Sequence, residues 1–350
     1  MTRNADPGRA LAAQHDALLL DLDGTVYLGS TVIAHVPEAL RAATGLGARS
    51  MYVTNNASRP PAEVAGSLSA MGIPAAADDV LSSPDVAAEM LAATHPEGSK
   101  VLVVGAAWLA EAVRLAGLEP VRLFTDGPVA VVQGHSPETG WAQLAEACLA
   151  LRAGADWVAC NTDSTLPTDR GLLPGNGAMV AALVAATGLQ PRVAGKPAPP
   201  LLDSAVRRAG SKRPLVVGDR LDTDIEAGVN AGLPVLMVLT GVSHPADLIA
   251  APPSRRPTYL GWDMRALTDS ARVVELASPD GSAGWQARNS VLTGTADPEH
   301  GNPEHHDGDA ESLAALVAVA HAAWLGGPTD PTAWRGADAR AQRVLDRLFG

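Results

Sequence analysis

The stretch Ala17-Leu18-Leu19-Leu20-Asp21-Leu22-Asp23-Gly24-Thr25 decides the reading of the fold. Four consecutive apolar residues without alternation describe a strand buried on both faces, as in a parallel sheet covered by helices. Acids and a glycine directly after the run put carboxylates at the carboxyl edge of that sheet, where open α/β folds bind their ligands. The pattern recurs three times. Ser50-Met51-Tyr52-Val53 ends in Thr54-Asn55-Asn56, Pro214-Leu215-Val216-Val217 ends in Gly218-Asp219, and Pro234–Leu239 ends in Thr240-Gly241. Helix starts follow, one near Pro60-Pro61 and one near Asp222. The chain reads as α/β with a parallel sheet.

The middle repeats the alternation on its own account. Val101–Gly105, Val129–Gly134 and Trp157–Asn161 read as strands, and Ala106–Ala116, Glu138–Ala153 and Asn176–Thr187 as helices. This predicts a smaller α/β domain over residues 82–192, inserted between core segments 1–81 and 193–265, with hinges near Leu81–Pro84 and Gln190–Ala194. Residues 266–350 change character. Ala296–Ala310 is polar, acidic and rich in Gly and Pro, which predicts a linker or long loop. Leu313–Leu325 and Asp338–Leu348 read as two helices separated by Pro328 and Pro331, so the extension is expected to be helical.

Composition narrows the function. The 350 residues carry 26 Lys+Arg against 38 Asp+Glu, a formal net charge of −12, which disfavours nucleic acid and anionic membranes as partners. Hydrophobic residues make up 47%, enough for a real core, while aromatics at 3% leave little for base stacking. Cys148 and Cys160 are too few for a disulfide framework and read as buried structural thiols in a reducing compartment. Gln14, His15 and Asp16 interrupt any signal-peptide core, and the longest apolar stretches, Ala178–Leu189 and Ala314–Leu325, fall short of the ~20 residues a bilayer span needs. A soluble cytoplasmic protein is expected, with homodimer formation left open.

Each chemistry-bearing element also has a structural reading. Asp21 and Asp23 could serve as nucleophile and proton donor, or simply form a polar turn at Gly24. Thr54-Asn55-Asn56 contains ordinary turn formers, and Lys196 alone reads as a solvated lysine beside a turn. The acids of Gly218-Asp219-Arg220-Leu221-Asp222-Thr223-Asp224 could hold a hard cation or favour a helix start. His300, His305 and His306, set among acids, match no closed metal site, and a solvated loop is expected there. The Q/R-x-x-G-x-G/A loop of an acyl-CoA transferase does not occur after residue 270, so no second catalysis is expected in the extension.

Taken together, the order Asp21-Leu22-Asp23-Gly24-Thr25, Thr54-Asn55-Asn56, Gly195-Lys196-Pro197 and Gly218–Asp224 resembles the haloacid dehalogenase superfamily. Over about residues 15–265 the forms of these motifs, with Thr240-Gly241-Val242, are similar to the branch of nitrophenylphosphatases, phosphoglycolate phosphatases and NagD-type phosphatases, which carries a C2 cap between its second and third motifs. The resemblance implies a Rossmann-like core with an inserted cap and a Mg2+-dependent phosphomonoesterase. Asp21 would attack phosphorus, and Asp23 would protonate the leaving alkoxide and then deprotonate water. Mg2+ would be held by Asp21, the Asp23 carbonyl and Asp219, with Asp224 behind them or bound through a water. Lys196, with the ion, would supply the positive charge that keeps Asp21 ionised, and Lys196, Thr25, Thr54, Asn55, Asn56 and backbone N–H groups near Asp23 and Gly24 would bind the phosphoryl group. An acid two residues after the nucleophile suits an alkoxide leaving group rather than a halide.

In the cap, Asn161-Thr162-Asp163, Pro167–Arg170 and Pro174–Met179 resemble the family's substrate-facing pattern, which makes Arg170 and Asn176 candidate substrate-binding residues. A helix-capping turn and a solvated arginine are the plainer readings. A small phosphorylated metabolite is expected, with glycerol 3-phosphate ahead of 2-phosphoglycolate or a nucleotide. A phosphometabolite sensor and a phosphotransferase are the alternatives.

Overall fold

Ala17–Leu20 forms a strand in which every residue is buried, as its unbroken apolar run requires. It belongs to a computed structural model that describes residues 9–168, 170–277, 282, 284–295 and 308–350. The described residues fall into two compact units: the segment ending at Met51 together with that from Ala209 onward, and Tyr52–Arg208.

In the first unit the strands run in the order Val273–Glu275, Tyr259–Gly261, Val235–Val238, Pro214–Gly218, Ala17–Leu20. The last four are parallel, with Leu18 opposite Leu215, Val217 opposite Leu236, and Leu236 opposite Tyr259. Leu18, Leu19 and Leu20 are fully buried, each worth about 1.5–3 kcal/mol of transfer free energy. Parallel strands end on the same edge, so the residues that follow them, Asp21, Asp219 and Thr240-Gly241, are delivered there together. The helix expected near Asp222 starts differently. Leu221–Ile225 makes one wide π turn, with the Ile225 N–H reaching the Arg220 carbonyl at 3.1 Å, before the α-helix Glu226–Asn230 begins. Such turns recur at functional sites.

The extension contains the two expected helices, as Gly308–Trp324 and Ala339–Phe349. The first begins inside the segment expected to be linker; residues 296–307 of that segment, with His300, His305 and His306, lie outside the described residues. The extension is not purely helical. Val273–Glu275 adds an antiparallel edge to the core sheet, and Trp285–Arg288, Val291–Gly294 and Arg335–Gly336 form a separate small sheet. Its hairpin turns at Asn289 and Ser290, both at positive φ (50° and 64°). That is the two-residue turn that matches strand twist, but without the glycine that announces it in a sequence. The Trp324 indole donates to the Leu248 carbonyl at 3.1 Å, and the Arg256 guanidinium lies 4.4 Å from the centre of the Trp324 ring.

The strand Arg49–Thr54 enters the second unit at Tyr52, and its residues from Tyr52 to Thr54 pair in parallel with Val80–Ser82. A five-stranded parallel sheet follows, in the order Arg192–Val193, Asp156–Ala159, Ala130–Gln133, Lys100–Val104, Glu119–Val121. Trp141–Arg152 and Asn176–Thr187 cover one face, where Leu102, Val131, Trp157, Leu151, Val180 and Leu183 form the core. Thr165–Thr168 and Gly171–Pro174 make an antiparallel hairpin. Cys160 is buried, and burial pushes its thiol pKa up, as expected of an inert structural thiol; Cys148 is only partly buried. Among the described residues no helix is long and apolar enough to cross a membrane.

Candidate active site

At the carboxyl edge of the first unit's sheet, Asp21, Asp219 and Asp224 each offer a carboxylate oxygen within 4.8 Å of the others. Asp219 is fully buried and held by both of its oxygens: the Thr25 hydroxyl donates to Oδ1 at 2.9 Å and the Val242 N–H to Oδ2 at 2.7 Å. Asp224 accepts the Arg220 N–H at 3.1 Å through the wide turn. Glycines let the backbone close around these acids. A methyl on Gly241 or Gly24 would overlap the Asp219 carboxylate, and one on Gly218 would overlap Asp224. Gly24 also sits at φ +92°, a conformation that favours glycine. Its carbonyl accepts the Thr240 hydroxyl at 2.7 Å, which ties the Asp21–Thr25 loop to the end of the Val235–Val238 strand.

Asp222 takes no part in this trio. Its carboxylate is paired with Arg220, with contacts of 3.1 and 3.0 Å. Burial alone would raise its pKa, but hydrogen bonding and charge from Arg220 hold it below the usual carboxylate value. Asp23 is exposed at the turn, and its backbone bridges to Tyr27. Thr25 serves the acids through its hydroxyl and is itself buried.

In the second unit Asn55 clasps Lys196. The Asn55 Oδ1 accepts the Lys196 N–H at 2.8 Å, and its Nδ2 donates to the Lys196 carbonyl at 2.9 Å. The Lys196 side chain is 2% exposed, and its Nζ lies 3.4 Å from the Val53 carbonyl. It is therefore not the solvated lysine that its local sequence suggests. Thr54 is buried, with its hydroxyl accepting the Asn56 N–H at 3.1 Å, and Asn56 caps Ser58. Arg170 is exposed at the hairpin turn. Asn176 is 2% exposed, and its amide donates to the Asn161 carbonyl at 2.7 Å.

A model of haloacid dehalogenase-like hydrolases matches residues 18–119, and a HAD-hydrolase-like model matches residues 193–267. The chain is 47% identical to a D-glycerol 3-phosphate phosphatase of Mycobacterium tuberculosis over 97% of its own length and 95% of the relative's. The chain belongs to the haloacid dehalogenase-like hydrolases. The crystal structure of a glycerol phosphate phosphatase from M. tuberculosis in complex with magnesium superposes with a TM-score of 0.85, covering 97% of this chain and 99% of that one at 47% identity. The 5'-nucleotidase YutF of Bacillus subtilis is 36% identical over 70% of this chain and 96% of its own.

For this haloacid dehalogenase-like hydrolase, the sequence singled out the acids but not what orients them. Thr240-Gly241-Val242 is legible as a strand end and as part of the family resemblance, but neither reading gives the Val242 N–H or the Thr240 hydroxyl a role. Ser243 was likewise silent, although its hydroxyl accepts the Leu221 N–H at 3.0 Å and anchors the wide turn.

Proposed function

We propose that the chain is a Mg2+-dependent phosphomonoesterase acting on glycerol 3-phosphate through a phosphoryl-Asp21 intermediate. The observation that carries this reading is the trio of carboxylates within 4.8 Å at a parallel sheet edge. An all-oxygen, anionic donor set suits a hard divalent cation such as Mg2+. Asp21 and Asp219, with the Asp23 carbonyl, would hold the ion, and Asp224 would support it from behind. Bound there, the ion offsets the clustered negative charge and polarises the phosphoryl oxygens.

The chain's own residues supply the rest. The Asp21 carboxylate forms a bond to phosphorus as the ester P–O bond breaks, and the Asp23 carboxyl gives its proton to the departing alkoxide. Asp23 then takes a proton from water as the water oxygen bonds to phosphorus, releasing inorganic phosphate and the Asp21 carboxylate. The exposure of Asp23 suits a group that must meet both alcohol and water. Thr54, Asn55 and Lys196 are assigned to the phosphoryl oxygens on the order of the motifs, and burial makes Lys196 a strong electrostatic partner for an anion. Sparse cysteine, with Cys160 buried and unpaired, suits a reducing compartment, and a cytoplasmic location is part of the proposal.

Glycerol 3-phosphate is preferred over a nucleotide because the similarity to the mycobacterial phosphatase runs the length of the chain, extension included, whereas that to the nucleotidase covers 70% of it. Phosphate release should be measured over glycerol 3-phosphate, 2-phosphoglycolate and nucleoside 5'-monophosphates, with Mg2+ and after chelation. The expected kcat/KM for glycerol 3-phosphate exceeds the others by roughly tenfold or more. A higher value for the nucleotides would reject the substrate assignment, and full turnover in chelator would reject the metal.

Gly241→Ala tests the orientation of the metal-binding acid. The added methyl cannot coexist with the Asp219 carboxylate as placed, so the side chain must rotate away from the Val242 N–H. Disturbing a ligand's orienting partner typically weakens metal affinity about 10–100-fold. The Mg2+ concentration for half-maximal activity should rise by that order, and an unchanged Mg2+ titration would contradict the assignment of Asp219.

A further inference from the structure

Asn55, Asn161 and Asn176 belong to separate elements of the second unit: the loop after Arg49–Thr54, the loop after Asp156–Ala159, and the first turn of the helix Asn176–Thr187. They are linked in series, the side-chain amides of Asn176 and Asn161 each donating to the main-chain carbonyl of the next. The Asn176 Nδ2 donates to the Asn161 carbonyl at 2.7 Å and lies 3.4 Å from that of Gln133. The Asn161 Nδ2 donates to the Asn55 carbonyl at 2.8 Å, where the Ser83 hydroxyl also donates at 2.8 Å. Asn55 then grips both backbone polar groups of Lys196 and sends its Nδ2 towards Asp163 at 3.3 Å. Asn161 and Asn176 are 5% and 2% exposed.

The backbones along this path are close enough to exclude side chains. A methyl on Gly195 would overlap the Asn55 Oδ1 and the Cys160 carbonyl. One on Gly175 would overlap the Asp163 carbonyl, and one on Gly177 that of Thr162. The Gly177 N–H also donates to the Asp163 carbonyl at 2.9 Å, and the Gly175 N–H to that of Ser164 at 2.9 Å. The helix start, the 161–164 loop and the Asn55 loop are thus held in one register. Burying amides costs free energy unless their hydrogen bonds are made, and a core could be packed with aliphatic residues at lower cost. What such a series provides is a single geometry for the group at its end.

We propose that Asn161 and Asn176 are positioning residues, a relay that fixes Asn55 and Lys196 for phosphoryl binding from the first turn of the Asn176–Thr187 helix. On this view Asn176 acts through Asn161 and does not touch substrate. The proposal rests on the reading of Asn55 and Lys196 as phosphoryl binders. Links in series act as a unit, so removing the second after the first should add little.

The test uses the full-length protein and inorganic phosphate as a competitive inhibitor. Asn161→Ala and Asn176→Ala are each expected to raise the phosphate inhibition constant and the KM about tenfold, as loss of an outer orienting partner does elsewhere. The double variant should stay near the single ones, well short of the roughly hundredfold loss that independent sites would give. The Mg2+ concentration for half-activation, set by the acids of the first unit, should not move. Val180→Ala, a core truncation in the same helix, controls for loss of cap stability and should leave the inhibition constant unchanged well below its Tm. An equal rise in Val180→Ala, a multiplicative double variant, or unchanged phosphate inhibition in both single variants would overturn the relay. Lys196→Ala separates the two levels. If it abolishes phosphate inhibition while the asparagine variants behave as wild type, the relay alone falls. If it leaves inhibition and kcat/KM intact, the phosphoryl-binding reading falls and the relay with it.

Discussion

Asp21→Asn should lower kcat by roughly 10⁴-fold or more, the scale on which loss of a covalent nucleophile is felt. The amide keeps the size of the carboxylate but has no lone pair nucleophilic enough to displace an alkoxide from phosphorus. Its effect on the fold should have the opposite sign. Three carboxylates sharing a site within 4.8 Å repel one another. Neutralising one relieves that repulsion, so in chelator the variant should melt no lower than the wild type. The gain in Tm on adding Mg2+ should shrink, because the ion loses an anionic ligand and with it binding energy for the native state. Phosphate-release assays and paired melting curves check both halves. Residual turnover within tenfold of wild type would remove Asp21 from its role, and a large loss of Tm in chelator would make the variant uninformative as an isostere and refute the repulsion argument.

Removing residues 271–350 should abolish soluble expression rather than leave a trimmed phosphatase. The cut takes away Val273–Glu275, the antiparallel strand that covers the edge of Tyr259–Gly261, and leaves unpaired backbone ready for intermolecular pairing. It also takes the helix Gly308–Trp324, which buries Leu313, Leu316, Val317 and Val319 and anchors Trp324 on the Leu248 carbonyl. Leu248 and Ile249, both fully buried in the intact protein, lie in the short helix against which it packs. Exposing two such residues forfeits about 3–6 kcal/mol of transfer free energy, against a typical net domain stability of about 5–15 kcal/mol. Size-exclusion chromatography of the shortened chain should show aggregate or no protein. A monomeric, fully active product ending at residue 270 would show that the extension is dispensable to the fold.

Strands and their chemistry were largely legible in the linear chain. A parallel strand buried on both faces is spelled by consecutive apolar residues, so Ala17–Leu20, Pro214–Gly218 and Val235–Val238 could be found without their neighbours, and the residues just beyond them mark the ligand edge. The small sheet of the extension was not legible, because its strands are two to four residues long and its turn uses Asn289-Ser290 without a glycine.

Which acid does what could be decided only by folding. Asp219, Asp222 and Asp224 look alike along the chain, and the end of the Pro214–Gly218 strand brings Asp219, and the wide turn at Leu221–Ile225 brings Asp224, to Asp21 while Arg220 retains Asp222. Lys196 reads locally as a solvated cation; its burial and its clasp by Asn55, 141 residues earlier, arise from contacts that no local window contains. Residue type and strand periodicity are properties of neighbours in sequence. The orientation of a carboxylate or an amide depends on hydrogen-bond partners that the chain brings together only when it closes on itself.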